Sequence, residues 1–303
     1  MKRIAACLVL SACIPLNAMA DFVAEDTTEA LIGTRDRSAL EEIVVFTNGS
    51  KYKKFSTSVG HLSLKFELNF NGAERNGVCT ATIIDPNYIL TAYHCLQDKD
   101  VEGNKVEEAV LYMGYLSSKE AAQPFHVEEV PVEYNERLDF AILKVEGNPA
   151  GSYGLLGLST QTLEQNEELF VVHHPRGWKK TLSRRFCRVR GFATGETVSH
   201  DCHTHKGSSG APIFPDNSSV PRVVGIHTGW DRFQGQTLNE GTLISSISTA
   251  SCIVSDILAG NEPKPCSEHE DIDPEDPDPE DPDPGDPPAD PGGADQPDAG
   301  DEQ

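Results

Sequence analysis

Short apolar segments, alternating with polar positions most clearly at residues 61–70 and 187–192, recur at residues 79–84, 110–113, 140–145, 169–172 and 223–227. A period of two places every second side chain on one face of an extended chain, so each stretch predicts a strand with a buried face. Gly, Asn, Asp and Pro clusters separate them and predict turns. Many short strands punctuated in this way predict an all-β barrel or sandwich. Only residues 249–258 have helical spacing, and they predict one short closing helix.

The two ends do not share this pattern. Residues 1–20 open with Lys2 and Arg3, continue through an apolar run and finish on Ala18-Met19-Ala20, the small-x-small pattern of a signal peptide. The run is too short to span a bilayer as a mature helix. Export to a secreted or periplasmic location is the expectation. A rival processing route keeps Cys13 as a lipidated first residue, because Leu10-Ser11-Ala12-Cys13 resembles a lipobox. Residues 21–29 are acidic and featureless and predict a propeptide. Residues 267–303 hold sixteen Asp or Glu, many Pro and no Lys or Arg, and predict a disordered acidic tail acting as an extended spacer or an attachment to a surface.

The tail also accounts for most of the net charge of −23. Without it the body is only mildly acidic and offers no basic footprint for nucleic acid. Six cysteines follow the signal: Cys79, Cys95, Cys187, Cys202, Cys252 and Cys266. An even number in an exported chain predicts three disulfides, with neighbours in sequence as the favoured partners.

Three segments carry candidate chemistry. A serine hydroxyl becomes a nucleophile when a histidine takes its proton and a carboxylate holds that histidine. Ile89-Leu90-Thr91-Ala92-Tyr93-His94-Cys95 delivers a histidine at the end of an apolar run. Leu138-Asp139-Phe140-Ala141-Ile142-Leu143 sets a carboxylate at the mouth of a buried strand, where it needs a partner. Asp98 and Asp100 are alternatives, in a polar loop close to His94 in sequence. Gly207-Ser208-Ser209-Gly210-Ala211-Pro212 offers two serines; choosing Ser208 puts both glycines at the wrong offsets. Gly207 permits a turn that aims its own N–H and that of Ser209 at one oxyanion.

These segments resemble the T-A-x-H-C, D-[IF]-A-[IL]-L and G-x-S-G-x-P signatures of the trypsin-like, chymotrypsin-fold serine peptidases, in the same order and over about residues 31–258. The resemblance implies two six-stranded antiparallel β-barrels, a short C-terminal helix, and a triad of His94, Asp139 and Ser209 in the cleft. It places the peptidase domain at residues 30–260, with barrels at about 30–145 and 146–260. It also implies protein or peptide substrates, a monomer, and no cofactor or metal.

Animal trypsins pair a new N-terminal ammonium with an aspartate just before the catalytic serine, and that position here is Ser208. The position that reads basic P1 side chains holds His203. Thr204 and the run Gly225-Ile226-His227-Thr228 instead resemble the bacterial V8-like glutamyl endopeptidases, as does Ile32-Gly33-Thr34-Arg35-Asp36-Arg37 near a mature N-terminus. That resemblance implies a P1 glutamate or aspartate received by His203, Thr204, His227 and Thr228, through hydroxyl and imidazole donors. The bond Glu29-Ala30 is itself a glutamyl bond and suggests self-processing. V8-like enzymes often lack disulfides, in contrast to the three expected here.

Other readings stay open. A different P1 specificity would keep the same triad. A non-catalytic binding relative would be expected to break it. His200, Cys202, His203 and His205 supply zinc-type ligands, although Cys202 has a disulfide partner at hand in Cys187. His173-His174-Pro175 reads as the end of a strand, and Trp230 and Phe233 as candidates for the cleft wall.

Overall fold

The structure, a computed structural model, describes residues 40–67, 74–97, 105–217, 219–220 and 222–269. The expected signal, the propeptide, the segment around Ile32, Asp98, Asp100 and almost all of the acidic tail lie outside the described residues. In chain order the strands are β1 (Leu40–Glu42), β2 (Val59–Glu67), β3 (Glu74–Ile83), β4 (Tyr88–Thr91), β5 (Lys105–Met113), β6 (Gln123–Val127), β7 (Glu133–Asn135) and β8 (Phe140–Lys144). There follow β9 (Leu169–His173), β10 (Thr181–Ser183), β11 (Val189–Gly191), β12 (Thr197–His200), β13 (Pro212–Pro215), β14 (Gly225–Phe233) and β15 (Gln236–Leu243).

They form two antiparallel sheets, ordered β6-β5-β2-β3-β4-β8-β7 and β1-β10-β9-β13-β14-β15-β12-β11. Each sheet rolls on itself. In the first, the Glu128 N–H donates to Lys144 O (2.9 Å) and the Glu146 N–H to His126 O (3.0 Å), joining β6 to β8. In the second, the Leu169 N–H donates to Cys187 O (2.8 Å) and the Val189 N–H to Glu167 O (3.0 Å). The start of β9 therefore meets the chain entering β11, while its far end pairs with β10. This is the all-β, two-barrel architecture.

The alternating pattern explains the cores. In β2, Leu62, Leu64 and Phe66 turn inward to meet Ala109 and Leu111 of β5 and Leu143 of β8 inside the first barrel. Leu169, Val171, Val189, Val198 and Ile213 fill the second. A third cluster lies between the barrels and joins Leu90, Phe140 and Ile142 to Phe170, Phe214 and Ile226. Strand β8 serves two of these cores, Ala141 and Leu143 facing one and Phe140 and Ile142 the other. A strand buried on both faces is a rigid mount, and Asp139 sits immediately before it.

The closing helix spans Cys252–Ala259, three residues later than its predicted start. Ser251 caps it, its Oγ accepting from the Val254 N–H at 3.1 Å. Disulfides join Cys79 to Cys95, Cys187 to Cys202 and Cys252 to Cys266. The Glu133 carboxylate in β7 accepts from the Ser251 hydroxyl and from the Cys266 N–H (2.9 Å), fastening the helix and its disulfide to the first sheet.

Candidate active site

His94 lies in the one-turn helix Tyr93–Leu96 that follows β4. The Cys79–Cys95 disulfide ties that turn to β3. β4 pairs with β8 with Thr91 opposite Ala141, so the residues flanking the pair, His94 and Asp139, emerge at the same edge. Asp139 adopts φ +50°, a left-handed conformation that Asp tolerates better than most side chains.

There the Asp139 carboxylate makes two separate bonds. Its Oδ1 accepts from the His94 backbone N–H at 2.8 Å, and its Oδ2 lies 2.6 Å from His94 Nδ1. On the other side of the ring, His94 Nε2 is 2.7 Å from Ser209 Oγ. The structure thus brings all three residues into one hydrogen-bonded chain across the two barrels. The imidazole is placed to accept the serine proton while the carboxylate steadies the resulting positive ring.

Ser209 stands in the loop leading to β13. Its carbonyl accepts from the Thr80 N–H (2.9 Å), the Gly210 N–H donates to His227 O (2.7 Å), and the His227 N–H donates to Ala211 O (2.8 Å). Gly207 has φ +86°, and a Cβ there would come within 2.7 Å of His174 O, so the turn requires glycine. Ser208 is wholly buried. Its Oγ shares a 2.6 Å hydrogen bond with His173 Nδ1 and accepts from the His205 N–H at 3.0 Å. A hydroxyl so enclosed cannot meet a substrate carbonyl, which leaves Ser209 as the accessible serine of the pair.

The residues expected to read P1 are arranged less uniformly. His227 is buried beside the nucleophile loop, and its ring packs edge-on against His200 with centroids 5.4 Å apart. Its Nδ1 has no hydrogen-bond partner. Burial, followed by the neighbouring His94, pulls its pKa down to about 4. The Thr204 hydroxyl donates to Asn239 Oδ1 at 2.9 Å, and Asn239 Nδ2 in turn donates to Cys202 O. Its proton is therefore engaged, and it must swing to serve a carboxylate. The Thr228 hydroxyl donates to Glu240 O at 3.4 Å. His203 is buried, and its N–H donates to the Ser183 hydroxyl at 2.8 Å.

The zinc alternative fails on Cys202, whose sulfur is bonded to Cys187 and cannot act as a thiolate ligand. Phe233 packs over Gly191. Several supporting residues carried no motif. Thr80 donates its hydroxyl to Gly207 O (2.8 Å) and accepts from the His174 N–H (3.0 Å). Asn239 likewise carried no motif, and the sequence patterns around His173 and His200 pointed to a strand end and to a zinc cluster, not to the roles they have here. The one available signal was His173-His174-Pro175, an unusual polar ending for an apolar strand.

A family profile described as trypsin-like peptidase domain matches residues 79–226. A curated relative, "Secreted RxLR effector protein 73" of Plasmopara viticola, is 33% identical over 98 residues, 30% of this chain and 24% of that protein. The chain therefore spans about a quarter of the length of the curated relative it matches. Among solved structures, the Rv3671c protease from M. tuberculosis in its active form aligns with a TM-score of 0.51 at 16% identity, over 67% of this chain and 83% of that one. The serine endoprotease from Yersinia pestis aligns with a TM-score of 0.48 at 12% identity, over 68% and 65%. The likeness to the M. tuberculosis protease shows the fold, and residues 79–226, which carry His94 and Asp139 as well as Ser209, are the part of the chain that matches the trypsin-like peptidase profile.

Proposed function

We propose that the chain is an exported endopeptidase that cleaves after glutamate or aspartate, with His94, Asp139 and Ser209 as its catalytic triad. The observation that carries the peptidase reading is the single imidazole held at 2.6 Å from a carboxylate and 2.7 Å from a serine hydroxyl. His94 Nε2 takes the Ser209 proton as Oγ attacks the scissile carbonyl. The Gly207 and Ser209 N–H groups receive the oxyanion, and His94 then returns the proton to the leaving amine. Water repeats the sequence to release the acyl group.

The glutamyl preference rests on the neighbourhood of His227. An unpartnered Nδ1 in a buried ring next to the nucleophile loop is a donor or acceptor in want of a partner. The absence of an acidic residue at His203 disfavours a basic P1 side chain. The peptidase domain is assigned to residues 30–260, preceded by a signal at 1–20 and a propeptide at 21–29. The tail at 267–303 is assigned a spacer role. Three disulfides favour an oxidising compartment and hence export, with lipid attachment at Cys13 as the other route.

Cleavage of a mixed peptide library, with Ser209→Ala as control, tests both levels. Cuts after Glu or Asp that vanish in the control support the full reading. Cuts after Lys or aliphatic residues reject the glutamyl preference alone, and no difference from the control rejects the peptidase.

A further inference from the structure

The nucleophile loop has an unexpected interior. At the position where an animal trypsin carries its switching aspartate, Ser208 is fully buried, and it bonds to a fully buried histidine. We propose that Ser208 and His173 are positioning residues whose uncharged hydrogen bond holds the oxyanion loop in its working shape, in place of an ion pair made after chain cleavage. The inference rests on the assignment of Ser209 as nucleophile.

A trans peptide points its C=O and the following N–H in opposite directions, so anchoring one carbonyl aims the next amide. Lys206 O accepts from the Arg176 N–H (2.5 Å), which aims the Gly207 N–H away from that anchor. Ser208 O accepts from the Ala211 N–H (3.0 Å), which does the same for the Ser209 N–H. Between them, Gly207 O and Ser209 O are both held by Thr80, one by its hydroxyl and one by its N–H. Every carbonyl from residue 206 to 209 is thus committed, and the two amides expected to face an oxyanion are left as the remaining donors.

What holds the centre of this turn is the Ser208 side chain. The loop closes around it twice, through the Ser208 N–H to His205 O (2.9 Å) and through the His205 N–H to Ser208 Oγ (3.0 Å). The third bond, 2.6 Å to His173 Nδ1, moors the turn to the end of β9. β9 is fully buried and paired on both sides, by β10 and β13, so the mooring point is rigid. His173 faces the imidazoles of His203, His205 and His227; burial and those neighbours pull its pKa down to about 3, so the bond is uncharged at neutral pH. No carboxylate and no new N-terminus is needed to complete it.

The test is steady-state kinetics on Ser208→Ala, His173→Leu, His173→Asn and the Ser208→Ala/His173→Leu double variant. Loss of one oxyanion donor typically costs 10²- to 10³-fold in kcat, so misaiming the donors should cost about 10- to 100-fold. That loss is expected in kcat with KM changed by less than about threefold. Binding of a peptide aldehyde, which forms a tetrahedral adduct, should weaken by the same factor as kcat. His173→Asn, whose amide nitrogen can occupy the Nδ1 position, should recover most of the rate, and the double variant should be no slower than the worse single. If Ser208→Ala fails to fold, the contrast between His173→Asn and His173→Leu carries the test. Equal kcat for wild type and Ser208→Ala, or an equal loss for the two His173 variants, overturns the inference. A wild-type protein that neither hydrolyses peptides nor reacts with a fluorophosphonate rejects the underlying peptidase assignment instead.

Discussion

Asp139→Asn isolates what the partly buried carboxylate does. The side chain makes two bonds with different demands: Oδ1 takes a backbone N–H, which can only donate, and Oδ2 faces His94 Nδ1. An asparagine has one acceptor oxygen, and the invariable backbone donor claims it. Its NH₂ is then turned toward Nδ1, which must accept, forcing the ring proton onto Nε2. That nitrogen is the one 2.7 Å from Ser209 Oγ, and once protonated it cannot take the serine proton. The geometry survives while the tautomer is wrong. In serine peptidases this exchange lowers kcat about 10⁴-fold, equivalent to roughly 5.5 kcal/mol at 1.4 kcal/mol per decade. The backbone gives no competing explanation, because φ +50° suits Asn as well as Asp. The assay is kcat on a fluorogenic peptide, with thermal melting to show that the fold is intact. A folded Asp139→Asn enzyme within tenfold of wild-type kcat would refute the argument.

Three further outcomes follow from the site and its supports. His227 has a pKa of about 4 in the free enzyme, and contact with a P1 carboxylate would raise it, so binding takes up a proton. The KM for a P1-Glu substrate should therefore rise with pH above about 4 relative to its P1-Gln analogue, and a KM ratio that is flat from pH 5 to 8 removes His227 from recognition. Lys180 is fully buried, donates to Ser56 O at 2.6 Å, and has its pKa lowered to about 7 by burial. The unfolded chain holds that proton up to about pH 10.4. The folded state releases it first, so stability should rise from pH 7 toward 10, and urea midpoints for Lys180→Met should lack that rise. Parallel curves for the two proteins would exclude it. Replacing Cys252 and Cys266 together by Ser opens a loop of sequence separation 14, which should cost about 3 kcal/mol. That corresponds to roughly 10 °C in melting temperature with kcat unchanged, and a large loss of kcat would mean that Glu133 and the closing helix also support the site.

The sequence by itself marked many of the strands and singled out three candidate chemical residues. Period-two alternation marked β2 and β5 because one face of each must be buried, and unbroken apolar runs marked β9, which is buried on both faces, and β8 behind Asp139. His94, Asp139 and Ser209 were legible because each lies inside a local pattern that its chemistry constrains. The short strands β1, β7 and β10 were not legible, since three residues carry too little alternation to stand out from a loop. Local pattern was equally silent on partners. Thr80, His173, Asn239 and His200 lie in unrelated stretches of chain, and their roles exist only because β3, β9, β12 and β15 converge beneath one loop. Thr204 shows the same limit from the other side: its residue type suits a carboxylate, but Asn239, distant in sequence, already takes its proton. Tertiary structure decided these points because a hydrogen bond depends on distance and direction, and neither is written in the spacing of residues along the chain.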